Sequence, residues 1–398
     1  MLPTDTPNLH VRSRRVVLAG EPVAAVVELA LLDGPAHSVV DVHGFDAQVD
    51  GELLDVGDRL VVPAPLDLHF HGAGGVVVPP MGDAAAIDGF LAGVVERTGW
   101  GRGGDDPAPG AASDALHTPY EWVATLPVPQ RPPADPVEHL AAAARSIAAL
   151  GPRTWCRGLR IEGLFLNPAR AGVWPPETFR APDPALLDEL AAAAHDAGTP
   201  LLVIDLAPEL PGAVDLVERA RELGIVASLA HTDATWDEAR EAIDAGATLA
   251  THAWNAMRPV THRDPGVVAA VLADPRVTCE LICDGVHLHP GTIALSTAAC
   301  GRGGWVAISD ASPFAGAPTG DYEWAGTTVT NDGTSLRDPE GRLAGSASLL
   351  DAALAVLAGA GASDVDIALA IGAAPRRVLD PSRPLGLATG DPAWIVPG

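Results

Sequence analysis

Beyond about residue 64 the chain alternates short apolar runs with segments of helical period, and this alternation limits the possible folds more than any other feature. The runs GLRIEGLFL (158–166), LLVIDLAP (201–208), IVASLAHT (225–232), TLATHAWN (248–255), VTCELICDGVHL (277–288) and WVAISDAS (305–312) read as strands buried on both faces. The segments between them read as covering helices. DPALLDELAAAAHDAG predicts one, with Asp183 as N-cap and Gly198 as stop; DATWDEAREAIDAG predicts another, starting at Asp233 and ending at Gly246. Repeated β-then-α units argue for a parallel barrel or a doubly wound sheet. The 398 residues leave room for a barrel of about 250 plus a smaller appendage. Residues 15 to about 62 form that appendage: RVVLAG, AAVVELALL, HSVVDVHG and RLVVPAP alternate with Gly, Asp and Pro turns and predict a small β-domain. PLGLA and AWIVP near the C-terminus are candidates to return to it. The expected division is 1–62 for the small β-domain, 63–372 for a (β/α)8 barrel and 373–398 for the return. Residues 101–118, rich in Gly, Pro and Asp, read as a surface loop, with a lid as the alternative.

Polar residues fall where a parallel barrel builds its active site, at the C-terminal ends of the strands. His69 and His71 end LDLHFH, Glu162 sits in LRIEG, His231 ends SLAH, His252 lies in LATH and Asp310 ends VAISD. One histidine at a strand end is ordinary. Six metal-ligand types at equivalent positions point to a metal site. In His69-Phe70-His71 the two imidazoles share one face of an extended strand, because side chains alternate with period two. The donor set suits Zn²⁺, with Fe²⁺ or Mn²⁺ as alternatives, one or two ions per chain. Asp310 is the candidate general base for a water attacking a carbonyl; its other reading is a cap for the SPFAG segment that follows.

Every residue in the Lys+Arg total is arginine; the chain has no lysine. That excludes a lysine Schiff base, a P-loop lysine and a carbamylated-lysine metal bridge, and leaves Glu162 as the natural bridge between two ions. The formal net charge of −26 disfavours nucleic acid and anionic membranes as partners, while leaving room for a local basic pocket that takes an anionic metabolite. Cys156, Cys279, Cys283 and Cys300 show no paired spacing and read as reduced core residues. No apolar run approaches the roughly 18 residues of a membrane span, and the N-terminal residues show no signal-type stretch, so a soluble, cytoplasmic enzyme is expected.

The segments PAPLDLHFHGAGG (63–75), IEGLFLNPARAG (161–172), AHTDATWDEAREAIDAGATLATHAWNAM (230–257), HRDPGVV (262–268), ELICDGVHLHP (280–290), ISDASPFAGAPTGDYE (308–323) and GRLAGSASLLDAAL (341–354) together resemble the N-acetylglucosamine-6-phosphate deacetylases of the amidohydrolase superfamily. The resemblance is dense after residue 155 and thin over 76–155. It implies a metal-dependent barrel, a β-sandwich domain built from both chain ends, and hydrolysis of the acetamide of an N-acetyl amino sugar, N-acetylglucosamine 6-phosphate above all. It also implies roles: Glu162, His231 and His252 as principal metal ligands, His69 and His71 as the pair that holds a second ion, and Asp310 as acid/base. Asn255, Ala256 and Arg263 match the phosphate-binding residues, with Arg263 reaching into a neighbouring subunit's site, and the family is usually dimeric. His287 matches a substrate contact, and Ala344, Gly345 and Ser346 match a loop that closes over the substrate.

Two departures stand out. Trp174 occupies the place of a family histidine that would polarise the amide carbonyl or hold a sugar hydroxyl, although its indole could stack on a sugar face. The family's P-T-x-x-T strand has only an echo in TLPVPQ (125–130), and Leu164 replaces a proline. These departures leave two alternatives to the phosphorylated substrate: another N-acyl amino sugar, or a non-catalytic homologue, which would show eroded metal ligands.

Overall fold

The computed structural model describes residues 9–31, 37–79, 83–98, 119–127, 135–151 and 154–396. The Gly/Pro/Asp-rich stretch 101–118 and the end of TLPVPQ lie outside the described residues. Two compact units emerge. The first draws on the chain up to Leu66, on Leu91–Glu121 and on Ser363 onward; the second comprises Asp67–Phe90 and Trp122–Ala362.

In the first unit, strands β1 (Leu9–Leu18), β2 (Glu21–Leu31), β3 (His37–Gly44), β4 (Glu52–Asp55) and β5 (Leu60–Pro63) follow one another along the chain. The C-terminal AWIVP segment supplies a last strand, Ala393–Ile395, antiparallel to β5. A bridge between Ser38 and Pro392 brings β3 round to the same segment, so the sheet wraps on itself. Its interior holds Leu9, Val11, Val27, Leu29, Val39, Val61 and Ile395, the inward half of each alternating pattern.

The second unit holds the β-then-α repeats. Its eight-stranded sheet is parallel and follows chain order. It comprises β6 (Leu66–Phe70), then, after the short strands β7 (Gly72–Ala73) and β8 (Val76–Val77), β9 (Glu121–Pro127), β10 (Cys156–Phe165), β11 (Leu201–Leu206), β12 (Val226–Leu229), β13 (Leu249–Ala250), β14 (Thr278–Ile282) and β15 (Trp305–Ile308). A parallel bridge between Phe70 and Ala311 joins the last strand's end to the first and closes the barrel. Asp67 secures the same seam, its carboxylate accepting from the backbone N–H of His69 and of Ser309. Helices alternate with the strands: α1 (Ala84–Thr98), α2 (Pro136–Ala148), α3 (Pro184–Asp196), α4 (Ala213–Glu222), α5 (Trp236–Ala245), α6 (Gly266–Ala273), α7 (Pro290–Cys300) and α8 (Ala352–Gly359). Asp183 caps α3 as expected, accepting from Ala185 N. The start of α5 differs from expectation: Thr235, not Asp233, is the N-cap, and it forms a reciprocal capping box with Glu238. Asp233 is instead paired with Arg170. The four cysteines are free thiols. No helix among the described residues is long and apolar enough to cross a membrane.

Barrels of this kind usually fill their interior with layers of branched apolar side chains. Here one layer is ionic. Arg160, fully buried, donates to both oxygens of Asp205 (2.9 and 2.9 Å), to both oxygens of Glu280 (2.6 and 3.0 Å), to Thr251 Oγ1 (2.9 Å) and to the Leu68 carbonyl (3.2 Å). Burial opposes the charge on Glu280, but Arg160 and His69 hold its carboxyl down at about 2. Replacing Arg160 with Leu leaves two carboxylates buried without their cation, which costs about 3–5 kcal/mol. Urea unfolding of Arg160→Leu is expected to show that loss; a variant as stable as the parent would mean that the layer tolerates an uncompensated charge.

Candidate active site

The ligand-type residues meet at the strand C-termini. β6 brings His69 and then His71, β10 brings Glu162, and the first turns after β12, β13 and β15 bring His231, His252 and Asp310. Glu162 is the centre. Its Oε1 lies 3.1 Å from His231 Nε2 and 3.1 Å from His252 Nε2. Its Oε2 lies 3.1 Å from His71 Nε2 and 3.5 Å from His69 Nε2. Each carboxylate oxygen therefore faces one pair of imidazoles. Asp310 Oδ1 stands 3.4 Å from His69 Nε2 and 3.6 Å from His71 Nε2.

Backbone conformation aims these groups. His231 (φ 43°), His252 (φ 30°) and Asp310 (φ 49°) all adopt left-handed conformations, at a cost on the order of 1–3 kcal/mol each. The chain kinks at the strand end and turns the side chain across the barrel mouth. Partners on the far side fix the rings: His231 Nδ1 donates to the Arg170 carbonyl (2.8 Å) and His71 Nδ1 to the Thr125 carbonyl (3.0 Å), which leaves each Nε2 lone pair for a metal. At Gly172 (φ 62°) a Cβ would come to 3.3 Å from His231 Cε1 and press on the ring. Asp310 caps no helix; its carbonyl accepts from Ser346 N (2.8 Å) and so ties the Ala344-Gly345-Ser346 segment to the site.

The donor set fits a divalent cation. Two groups of three donors, His69/His71/Glu162 and Glu162/His231/His252, each lie within 4.8 Å of one another and are buried. Charge argues the same way. Burial and Arg160 push the His69 imidazolium down, but Glu162 and Asp310 outweigh them and carry it up to about 10. Burial likewise opposes a proton on His231, and Glu162 again raises it. Burial works against the Glu162 carboxylate, but His69, His231 and His252 hold it well below the usual range. The pocket requires positive charge at its centre, supplied by protons or by metal.

A cavity of about 530 Å³ opens over this cluster. Of the residues singled out from sequence, His71, Glu162, Trp174, His231, His252, Asn255, Ala256, His287, Asp310, Ala344 and Gly345 line it. His69 lies beneath them, fully buried. Arg263 is exposed and does not line its own chain's cavity. His287 is held by Asp284 (Nδ1 to Oδ2, 2.7 Å), which also accepts from Ser346 Oγ (3.1 Å). Trp174 forms a wall with Trp324; the rings stand 5.7 Å apart, and each lies within 6.0 Å of the His71 ring. Sequence reasoning missed Trp324, one residue past the matched GDYE stretch, and the rim arginines Arg170, Arg337 and Arg342. An unassigned arginine carries no local signal that separates a rim position from a surface ion pair.

A closed parallel barrel with imidazoles and a central carboxylate at its C-terminal mouth defines a metal-dependent amidohydrolase. No protein-family model matches the chain. It is 33% identical to an N-acetylgalactosamine-6-phosphate deacetylase of Escherichia coli O157:H7, over 87% of this chain and 82% of that one. It is 30% identical to an N-acetylglucosamine-6-phosphate deacetylase of Bacillus subtilis, over 74% and 69%. In structure it is similar to a Mycobacterium smegmatis N-acetyl-D-glucosamine-6-phosphate deacetylase mutant in complex with N-acetyl-D-glucosamine-6-phosphate, with a TM-score of 0.77, 27% identity and coverage of 98% and 96%. The chain belongs to the N-acetylglucosamine-6-phosphate deacetylase family.

At pH 7 His69 lies well below its raised pKa and is protonated in the metal-free protein. A cation that binds there must expel protons, so affinity rises with pH. Titration of the metal-free chain with Zn²⁺ in two buffers of different ionisation enthalpy is expected to show net proton release at pH 7. Heats independent of the buffer would mean that the imidazoles were already neutral.

Proposed function

We propose that this enzyme removes the acetyl group from an N-acetylhexosamine 6-phosphate, N-acetylglucosamine 6-phosphate first among them, and yields acetate and the free amine. The observation that carries the reading is the convergence of His69, His71, Glu162, His231, His252 and Asp310 on one cavity floor in a chain of this family. A divalent cation held by these residues, Zn²⁺ by donor type with Fe²⁺ or Mn²⁺ as alternatives, supplies Lewis acidity toward the amide carbonyl and the attacking water. Asp310 accepts the proton of that water and returns it to the leaving nitrogen. Glu162 and the imidazoles hold their positions throughout, because backbone carbonyls fix His71 and His231 from behind.

Substrate recognition is assigned to the cavity wall. Trp254 (φ 82°) and Ala256 (φ 51°) turn the chain sharply after His252, and Asn255 and Ala256, which line the cavity there, are assigned to the sugar phosphate. Arg263, exposed on its own chain, is assigned to the cavity of a partner subunit in a homodimer. His287, whose Nδ1–H is taken by Asp284, presents Nε2 to the substrate. Trp174 and Trp324 offer flat faces for the apolar side of the sugar ring. Arg337 at the rim favours an entering anion, whereas Arg170 and Arg342 are already paired with Asp233 and Asp338. The cytoplasm, where sugar phosphates are made, is the matching compartment.

Asp310→Asn is expected to keep its metal content while turnover falls by about 10²–10⁴-fold. Acetate release and metal analysis on the same preparation check this, and retained turnover would remove Asp310 from the proton transfers. A panel of gluco and galacto N-acetyl sugars, each with and without the 6-phosphate, tests the substrate. Phosphorylated members should be hydrolysed with the lower KM; indifference to the phosphate would overturn that part of the reading.

A further inference from the structure

A second group of metal-ligand types lies on the outer face of the small sheet, opposite the apolar face formed by Val11, Val27, Leu29 and Val39. His10 of β1 stands directly across from Glu28 of β2, and His43 of β3, which faces Val26, is the diagonal neighbour of Glu28. Side chains two residues apart share a face, so all three project to one side. One ring nitrogen of each histidine and one Glu28 oxygen lie within 4.8 Å of one another. His43 Nε2 is 3.0 Å from Glu28 Oε2.

One independent observation goes beyond that hydrogen bond. His10 is only 4% exposed, yet its Nδ1 has no hydrogen-bond partner among the described residues. A buried ring nitrogen is rarely left unpaired.

We propose that His10, Glu28 and His43 form a second metal site, sharing no residue with the catalytic cluster, that binds a divalent transition-metal ion and ties β1, β2 and β3 together. Two imidazoles and one carboxylate are the donors that Zn²⁺, Ni²⁺ and Cu²⁺ favour, whereas Mg²⁺ and Ca²⁺ demand oxygen. The ring centroids of His10 and His43 are 6.4 Å apart, against 4.9 and 5.1 Å for the imidazole pairs of the catalytic cluster. Closure falls to His43, whose side chain is 31% exposed and exchanges its hydrogen bond to Glu28 for the shared ion. Three protein donors leave a fourth position for water. The ion is a staple across three strands, and its binding stabilises the folded chain by linkage.

The test counts metal in the full-length chain after equilibrium dialysis against buffered Zn²⁺. The parent is expected to retain one Zn²⁺ per chain more than His43→Gln, with equal acetate release from both. Added Zn²⁺ should also raise the Tm of the parent by more than that of the variant. Metal in the catalytic cluster cancels in the difference, so the count stands whatever the substrate proves to be. His10→Gln alters a buried residue and can lower Tm by itself; His43, partly exposed, is the decisive position, and Glu28→Gln should match it. Equal Zn²⁺ content in parent and His43→Gln would overturn the proposal and leave a plain His–Glu hydrogen bond.

Discussion

Buried negative charge is the constraint around which the barrel mouth is organised. Glu162, Asp205, Glu280 and Asp310 are all buried there, against one guanidinium, Arg160. Such an arrangement is unstable unless further positive charge joins it. Arg160 neutralises the lower pair, Asp205 and Glu280, and leaves Glu162 and Asp310 to the imidazoles and the cation they are built to hold. The elevated proton affinity of His69 and His231 is the signature of this imbalance in the metal-free chain. Metal binding and barrel stability thus draw on the same electrostatics.

The site also sits on the barrel's closing seam. The bridge between Phe70 and Ala311 lies between the metal-ligand types His69 and His71 on one strand and immediately follows Asp310 on the other. Hydrogen bonds from Asp310 N to the His69 carbonyl (3.1 Å) and from His71 N to the Ala311 carbonyl (2.9 Å) make the closure and set the geometry at once. The left-handed conformations of His231, His252 and Asp310 are tolerated because a hydrogen-bonded barrel over-determines them. Rigidity of this kind suits a site whose metal-ligand types must hold their spacing.

The departure at Trp174 acquires a structural meaning. The indole packs with Trp324 and Phe314 in one apolar cluster, beside the His71 ring. An imidazole at that position would reach into the cavity as a polar group; the indole closes that side with an apolar wall. His287, oriented by Asp284, remains at the cavity as a polar group.

Much of this was legible in the chain itself. The β-then-α alternation, the ligand types at strand ends and the His-x-His spacing depend on local periodicity, and they put His69, His71, Glu162, His231, His252 and Asp310 at strand ends, where the structure has them meeting at the barrel mouth. Periodicity could not reveal that Arg160 sits inside the barrel facing Asp205 and Glu280, since these residues are 45 and 120 positions away and meet only when the sheet closes. Nor could it show that Thr235 rather than Asp233 caps α5, that Trp324 backs Trp174, or that His10, Glu28 and His43 share a face. Strand pattern determines which way a side chain points; sheet register and barrel closure decide what it meets, because contacts between distant segments arise from packing and not from sequence spacing.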